Sequence, residues 1–271
     1  MSFVKFRCNM QRICFAFAVV IGLANGAVNA CWAQTKSVKP PTRSRHYKQL
    51  EFKSKEGVTL DYWLMKPAKV EKQKTYPLVL ALHGRGGNTE AATVLGSAEM
   101  RTKHPCFVIA PAVTTAYNWA SPKDLQTVKR GSRKVERKPR LPTVLEMLAA
   151  VTREYPVDPN RVYVTGQSMG GAGTFGAIAT SPQTFAAAIP VCGGWDPADA
   201  EKMKNVAIWV FHGDSDRVVP TERSRAMVAA IKQAGGSPKY TEYPGVRHNS
   251  WTKTYAAAST WEWLFAQRRT K

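Results

Sequence analysis

The pentapeptide Gly166-Gln167-Ser168-Met169-Gly170 stands between a strand-like run, Arg161–Thr165, and a small-residue, helix-compatible run, Gly171–Ala177. A G-x-S-x-G at a strand-to-helix junction makes a sharp turn that exposes the serine Oγ. Its glycines leave the space that such a turn denies to side chains. Taken alone, the pentapeptide also fits a glycine-rich turn carrying a solvated serine. A serine hydroxyl becomes a useful nucleophile only when a histidine takes its proton and a carboxylate orients that histidine. Both partners occur downstream. The segment His212-Gly213-Asp214-Ser215-Asp216 offers two acids, and Pro244-Gly245-Val246-Arg247-His248 offers the base. The residue reading leaves Asp214 and Asp216 open.

Elements that would bring these groups together are legible. Apolar or alternating runs predict strands at 78–83, 107–111, 161–165, 187–192, 206–212 and 239–243. Helical stretches near 89–101, 141–155, 169–180, 221–234 and 253–267 alternate with them. That rhythm is the one of crossovers in a parallel sheet with helices on both faces. Pro142 suits a first helical turn and Gly235-Gly236 a helix stop. Tyr47–Lys53 and Val58–Lys66 read as a hairpin in front of the parallel strands. Serine, acid and histidine each fall just past a strand, and open α/β sheets place their sites at that edge.

By these residues the chain resembles the α/β-hydrolase superfamily over most of residues 47–267. Within it, the chain is similar to the esterases grouped with polyhydroxybutyrate depolymerases, dienelactone hydrolases and the phospholipase/carboxylesterase branch. The resemblance rests on Tyr155–Tyr163 before the serine turn, Val191-Cys192-Gly193-Gly194 after it, an H-G-x-x-D-x-x-V-P run and a late G-x-x-H. It implies a mostly parallel central sheet of about eight strands. It places the acid at Asp216, leaving Asp214 to hold its loop, and makes Ser168 the nucleophile and His248 the base. Leu78–Leu82 followed by His83-Gly84-Arg85 resembles the oxyanion loop of that superfamily, which assigns the backbone donors to Arg85 and Met169. Gln167 departs from the Leu, Phe or His common before the serine. The implied activity is cleavage of carboxylic esters through an acyl-enzyme, with no metal or organic cofactor. A peptidase of the same fold shares this machinery. A catalytically idle binding protein of hydrolase fold is the rival from another class, and the complete triad speaks against it.

Length and composition suit one α/β domain behind a targeting segment. Lys5, Arg7 and Arg12 form a charged stretch, Ile13–Leu23 an apolar one, and small residues follow. This reads as a secretory signal over residues 1–33, too short for a comfortable membrane span. Cleavage is expected after Ala30 or Ala33; the alternatives are lipid anchoring at Cys31, against a poor local match at Val28 and Asn29, and an N-terminal anchor left uncleaved. A polar linker, 34–46, then leads into the catalytic domain, 47–271. Cys106 and Cys192 fall at opposite ends of parallel strands, out of disulfide reach, and read as buried free thiols.

The formal charge is +20, and removing the signal's three basic residues leaves +17. So basic a chain is expected to meet acidic surroundings, such as an anionic polysaccharide or a membrane surface. No nucleic-acid motif, zinc-ligand spacing or phosphate-binding glycine loop appears in it. Eight of the eighteen residues in Lys123–Arg140 are basic, among them Lys129, Arg130, Arg133, Lys134, Arg137, Lys138 and Arg140. The segment is either a solvated surface loop or a basic rim beside the site. Trp119, Trp195 and Trp251 follow strand ends or the histidine and are candidates for the pocket wall that receives an ester substrate, polymeric or small. His46, His104 and His212 show no partner pattern; His212 reads as fixing the loop after its strand, and His83 as similarly structural.

Overall fold

The computed structural model describes residues 45–269, apart from 88, 115–116, 121–126, 131–132 and 137. The expected signal and nearly all of the linker lie outside the described residues. The chain opens with the antiparallel strands β1 (Tyr47–Lys53) and β2 (Thr59–Met65), paired from Tyr47↔Met65 to Lys53↔Thr59. Next come β3 (Tyr76–Leu82), helices α1 (Glu90–Leu95) and α2 (Ala98–Lys103), and β4 (Phe107–Pro111). An excursion follows through β5 (Tyr117–Asn118), β6 (Thr127–Arg130), β7 (Arg133–Glu136) and β8 (Lys138–Pro139). The chain then resumes with α3 (Leu141–Glu154), β9 (Val157–Gln167), α4 (Met169–Thr180) and β10 (Ala187–Val191). It ends with α5 (Ala200–Met203), β11 (Ala207–Gly213), α6 (Glu222–Gln233), β12 (Lys239–Tyr243), α7 (Ser250–Ala256) and α8 (Ala258–Ala266).

Eight strands form one sheet in the order β1-β2-β4-β3-β9-β10-β11-β12. β2 meets both β1 and β4 antiparallel, while every pair from β4 to β12 is parallel. Because side chains alternate along a strand, the sheet divides the interior into two cores. Leu78, Leu80 and Leu82 of β3 join Val162 and Val164 of β9 on one face. Val79 and Ala81 join Tyr163, Ala187 and Ile189 on the other. Strands buried on both faces explain the continuous apolar runs of the sequence.

Register fixes the edge that matters. Leu82 lies opposite Gly166, Gln167 opposite Val191, Val191 opposite Phe211, and Gly213 opposite Tyr243. The residues that follow β3, β9, β10, β11 and β12 therefore emerge side by side. α4 packs down on this edge with almost no side chain between. A Cβ on Gly170 would stand 2.0 Å from Leu82 O, and one on Gly166 would stand 2.5 Å from Gly170 O.

Three elements differ from the sequence expectation. The helix expected at 89–101 is two helices, because Gly96 ends α1 and the Ser97 side chain accepts from Met100 N–H to start α2. The last helix starts earlier, at Ser250, and breaks at Ala257, whose backbone is extended. No glycine or proline marks that break; the Trp261 indole donates to Tyr255 O across it at 2.8 Å. The strand expected at 161–165 spans Val157–Gln167, with a register shift between its contacts to Tyr76 and Leu78 that absorbs Pro159. The basic segment is not a bare loop either. β6 and β7 form an antiparallel ladder from Thr127↔Glu136 to Arg130↔Arg133, and β5 pairs with β8 in parallel at its base.

Candidate active site

Ser168 occupies the turn between β9 and α4 with φ 56° and ψ −116°, a conformation that L residues seldom adopt. The close seat of α4 on β3 leaves the chain no gentler way to turn. Such strain persists where surrounding packing over-determines it. The turn is held from below by Ser168 N–H donating to Val191 O at 2.9 Å. Oγ is thereby lifted off the sheet edge.

His248 lies in the loop between β12 and α7, and its Nε2 is 2.9 Å from Ser168 Oγ. Its Nδ1 is 2.7 Å from Asp216 Oδ2. An ionised carboxylate only accepts, so Nδ1 carries the proton and Nε2 is free to receive the serine's. The Asp216 side chain is fully enclosed, whereas His248 is 21 % exposed and faces the cavity. Burial alone would push the Asp216 carboxyl up. The hydrogen bonds from His248, Val219 N–H and Val218 N–H outweigh it and hold the group below its ordinary range. The two valine N–H groups reach Oδ1 at 2.8 and 3.0 Å.

The structure thus joins Asp216 to His248 and leaves Asp214 elsewhere. Asp214 is exposed, and its Oδ1 accepts from Gly245 N–H and Ser215 Oγ, both at 2.8 Å. It ties the loop after β11 to the loop after β12, so it supports the histidine's loop rather than its ring.

Ser168 and His248 border a cavity of about 690 Å³, also lined by Arg85, Gln167, Met169, Val218, Arg223 and Trp251, among others, with Asp216 enclosed behind them. That volume suits a small organic ligand. α4 begins at Met169, so its first N–H groups lack intrahelical acceptors and face this space with the positive end of the helix dipole. Arg85 lines the same cavity from a turn closed by Gly87 N–H donating to Gly84 O at 3.1 Å. Beneath the turn, His83 Nε2 accepts from Val113 N–H at 3.0 Å, so its Nδ1–H donates to Gly84 O at 2.6 Å. Burial lowers the His83 pKa, in keeping with a neutral ring that braces the loop.

Of the three tryptophans, Trp251 lines the cavity and sets its ring edge to face with His248 at 5.2 Å. Trp119 does not reach it. It is fully buried, its indole donates to His83 O at 2.8 Å, and its Cβ packs where a side chain on Gly173 would be. Its neighbours Asn118 and Ala120 line the cavity instead. Trp195 is turned onto α4 at Gly176 and donates to Asp199 Oδ2 at 2.8 Å. Glycines at 173 and 176 are the sequence signal for both placements: each leaves a notch that an indole fills.

Sequence reasoning missed two supports. Gln167 is buried, and its Oε1 accepts from Glu90 N–H at 3.2 Å, linking the serine turn to the start of α1 behind the Arg85 loop. Cys192 sits beneath the dyad with φ 39°; its Sγ, a ring nitrogen of His248 and a carboxylate oxygen of Asp216 lie within 4.8 Å of one another. Burial pushes this thiol up to about 12, so it packs there as a neutral group. Cys106 is likewise buried and free.

An eight-stranded, mostly parallel sheet carrying serine, acid and histidine after β9, β11 and β12 defines an α/β-hydrolase. More narrowly, the chain belongs to the phospholipase/carboxylesterase family, whose model matches residues 67–261. It is 32 % identical over 124 residues to poly(3-hydroxyalkanoate) depolymerase C of Paucimonas lemoignei, covering 44 % of this chain and 28 % of that one. Carboxylesterase SOBER1 of Arabidopsis thaliana is 27 % identical over 203 residues, 68 % of this chain and 88 % of its own. Among solved structures, a thermostable esterase matches with a TM-score of 0.75 and 37 % identity over 83 % of this chain. The present chain spans 64 % of that esterase's length.

The contrast between the two aspartates is testable. Asp216→Asn is expected to misorient His248 and lower ester turnover by about 10⁴. Asp214→Asn is expected to keep most turnover and to lower the melting temperature. Steady-state rates and thermal melts of the pair check this, and the opposite pattern transfers the orienting role to Asp214.

Proposed function

We propose that the protein is an exported serine esterase in which Ser168 attacks the ester carbonyl and forms an acyl-enzyme. The observation that carries this reading is the unbroken relay from Ser168 Oγ through His248 to Asp216 at the wall of the cavity. His248 takes the hydroxyl proton at Nε2 and returns it to the departing alcohol. Asp216 keeps the imidazole in the tautomer this needs and balances its charge. The N–H groups of Arg85 and Met169 receive the oxyanion, a contribution worth about 10²–10³ in rate for each donor of this kind. Water then repeats the sequence in reverse to release the acid. Met169, Val218 and Trp251 give the cavity an apolar side for the acyl or alcohol chain. The likeness to a polyhydroxyalkanoate depolymerase makes a polymeric ester one substrate class to assay.

Ser168→Ala is expected to remove nearly all ester hydrolysis while leaving the melting temperature close to wild type. A fluorophosphonate probe should label the wild type alone. Persistent labelling at another serine overturns the assignment. A panel of nitrophenyl esters of graded length, feruloyl esters, polyhydroxybutyrate and peptide amides then separates esterase from peptidase and names the acyl class.

Export rests on the charged and apolar stretches before Ala33. The exported protein is expected to begin at residue 31 or 34, or to carry lipid on Cys31. N-terminal sequencing and intact mass decide among these, and a cytosolic chain retaining Met1 refutes the export reading.

The basic excursion is proposed to hold the enzyme on an anionic polysaccharide or membrane surface. In its support, β5 ends at Asn118, which lines the cavity, so the excursion springs from the cavity's rim. Attraction of this kind is screened by salt, since the Debye length shrinks to about 3 Å at 1 M. Changing Lys129, Arg130, Arg133 and Lys134 to glutamate is expected to weaken retention on an acidic polysaccharide and flatten its salt dependence. Turnover of a small neutral ester should stay near wild type. Equal retention of both proteins at low and high salt removes the proposal.

A further inference from the structure

The acid of the relay carries a second imidazole. His212, the last but one residue of β11, is fully buried, and its Nε2 is 3.1 Å from the same Asp216 Oδ2 that holds His248. Nε2 is also 3.1 Å from Val219 O. Both neighbours are acceptors, a carboxylate and a carbonyl, so Nε2 must carry a proton. On the far side of the ring, Nδ1 is 2.7 Å from Ser224 Oγ, on α6. Ser224 Oγ is in turn 2.7 Å from Gly193 O, in the loop after β10 that lines the cavity. The hydroxyl has one proton to give. Gly193 O can only accept, so it takes that proton, and the Ser224 oxygen meets the ring with its lone pairs. Burial lowers the pKa of His212 while Asp216 pulls it back up.

Asp216 therefore receives four N–H groups: Val218 and Val219 on Oδ1, His212 and His248 on Oδ2. The two backbone donors restrain one oxygen only and leave the carboxylate able to pivot about it. A donor on Oδ2 from a rigid, enclosed ring removes that freedom and sets the direction in which the second lone pair meets His248. We propose that His212 is a positioning residue for the reaction, acting through Asp216, and that Ser224 anchors the far side of its ring to Gly193. This inference rests on the serine-esterase reading above and adds to it a fourth and fifth member, each from a different element of the fold. A supporting shell of this kind sets the catalytic geometry that the reacting groups cannot hold alone.

Two amides of similar polarity separate positioning from packing. In His212→Gln the carboxamide N–H reaches the place of Nε2 and restores a donor to Asp216. In His212→Asn the shorter side chain reaches the Ser224 side and leaves Oδ2 without its second donor. For hydrolysis of nitrophenyl butyrate by the full chain, His212→Asn is expected to lower kcat about 10- to 100-fold with KM within about twofold. That loss stays well short of the about 10⁴ expected on disabling the acid itself. His212→Gln is expected to recover kcat to within about fivefold of wild type. Ser224→Ala should lose less than His212→Asn. Thermal melts of each variant report folding, so rates are compared per folded molecule. Equal losses in the two amide variants, or wild-type kcat in His212→Asn, overturn the proposal. Ser168→Ala run alongside keeps the two readings apart. An active Ser168→Ala defeats the functional reading. An inert Ser168→Ala beside a fully active His212→Asn defeats only the role of His212.

Discussion

Everything at this site follows from how closely α4 approaches β3. With Leu82 O only 2.0 Å from where a Gly170 Cβ would be, the helix can rest on the sheet edge only as bare backbone. That contact sets where the chain must turn after β9 and forces Ser168 into a backbone conformation of positive φ. The turn delivers Oγ and the open N–H groups of the helix start to the same small volume. A serine hydroxyl and the positive end of a helix dipole are thus supplied together by one steric constraint. The aromatic residues obey it too. Trp119 and Trp195 fill notches at Gly173 and Gly176 of the same glycine-rich helix, which is why they brace the site instead of lining it.

The rest of the machinery is an exercise in keeping a buried charge where it is useful. A carboxylate enclosed as fully as Asp216 would favour protonation were its oxygens not met by donors. Here the fold meets them from two backbone N–H groups and two imidazoles. Those donors stabilise the ionised acid, and the ionised acid gives His248 its tautomer. Cys192, a neutral thiol held under the pair, completes the enclosure without adding charge.

Much of this was legible in the chain before any coordinates. Every strand of the large sheet was visible, most plainly those covered on both faces, which must be apolar throughout, as in Leu78–Leu82. The strand ends then located Ser168 and His248 and narrowed the acid to Asp214 or Asp216, between which the family resemblance chose Asp216. What stayed hidden depends on packing in three dimensions. An indole's own neighbours in the chain do not tell it whether to face a cavity or a glycine notch, because the notches at Gly173 and Gly176 lie far from Trp119 and Trp195 in sequence. The break at Ala257 has no turn residue to announce it. Likewise, His212 looked like a residue with no partner because its partner, Ser224, comes from a helix twelve positions away that folds back over the strand.

The excursion between β5 and β8 leaves the sheet edge and comes back beside itself. Tyr117 and Asn118 pair with Lys138 and Pro139, and Arg140 N–H then bonds Asn118 O and Trp119 O before α3 begins. Its ends are therefore sealed by their own hydrogen bonds, independent of what lies between. The entropic charge for a longer or shorter span grows only logarithmically with length. Such a segment behaves as an exchangeable cassette at the rim of the cavity. Its sequence can drift, acquire charge or lengthen while the relay and the sheet below inherit none of the change, so the character of the rim and the geometry of the site are free to evolve on separate schedules.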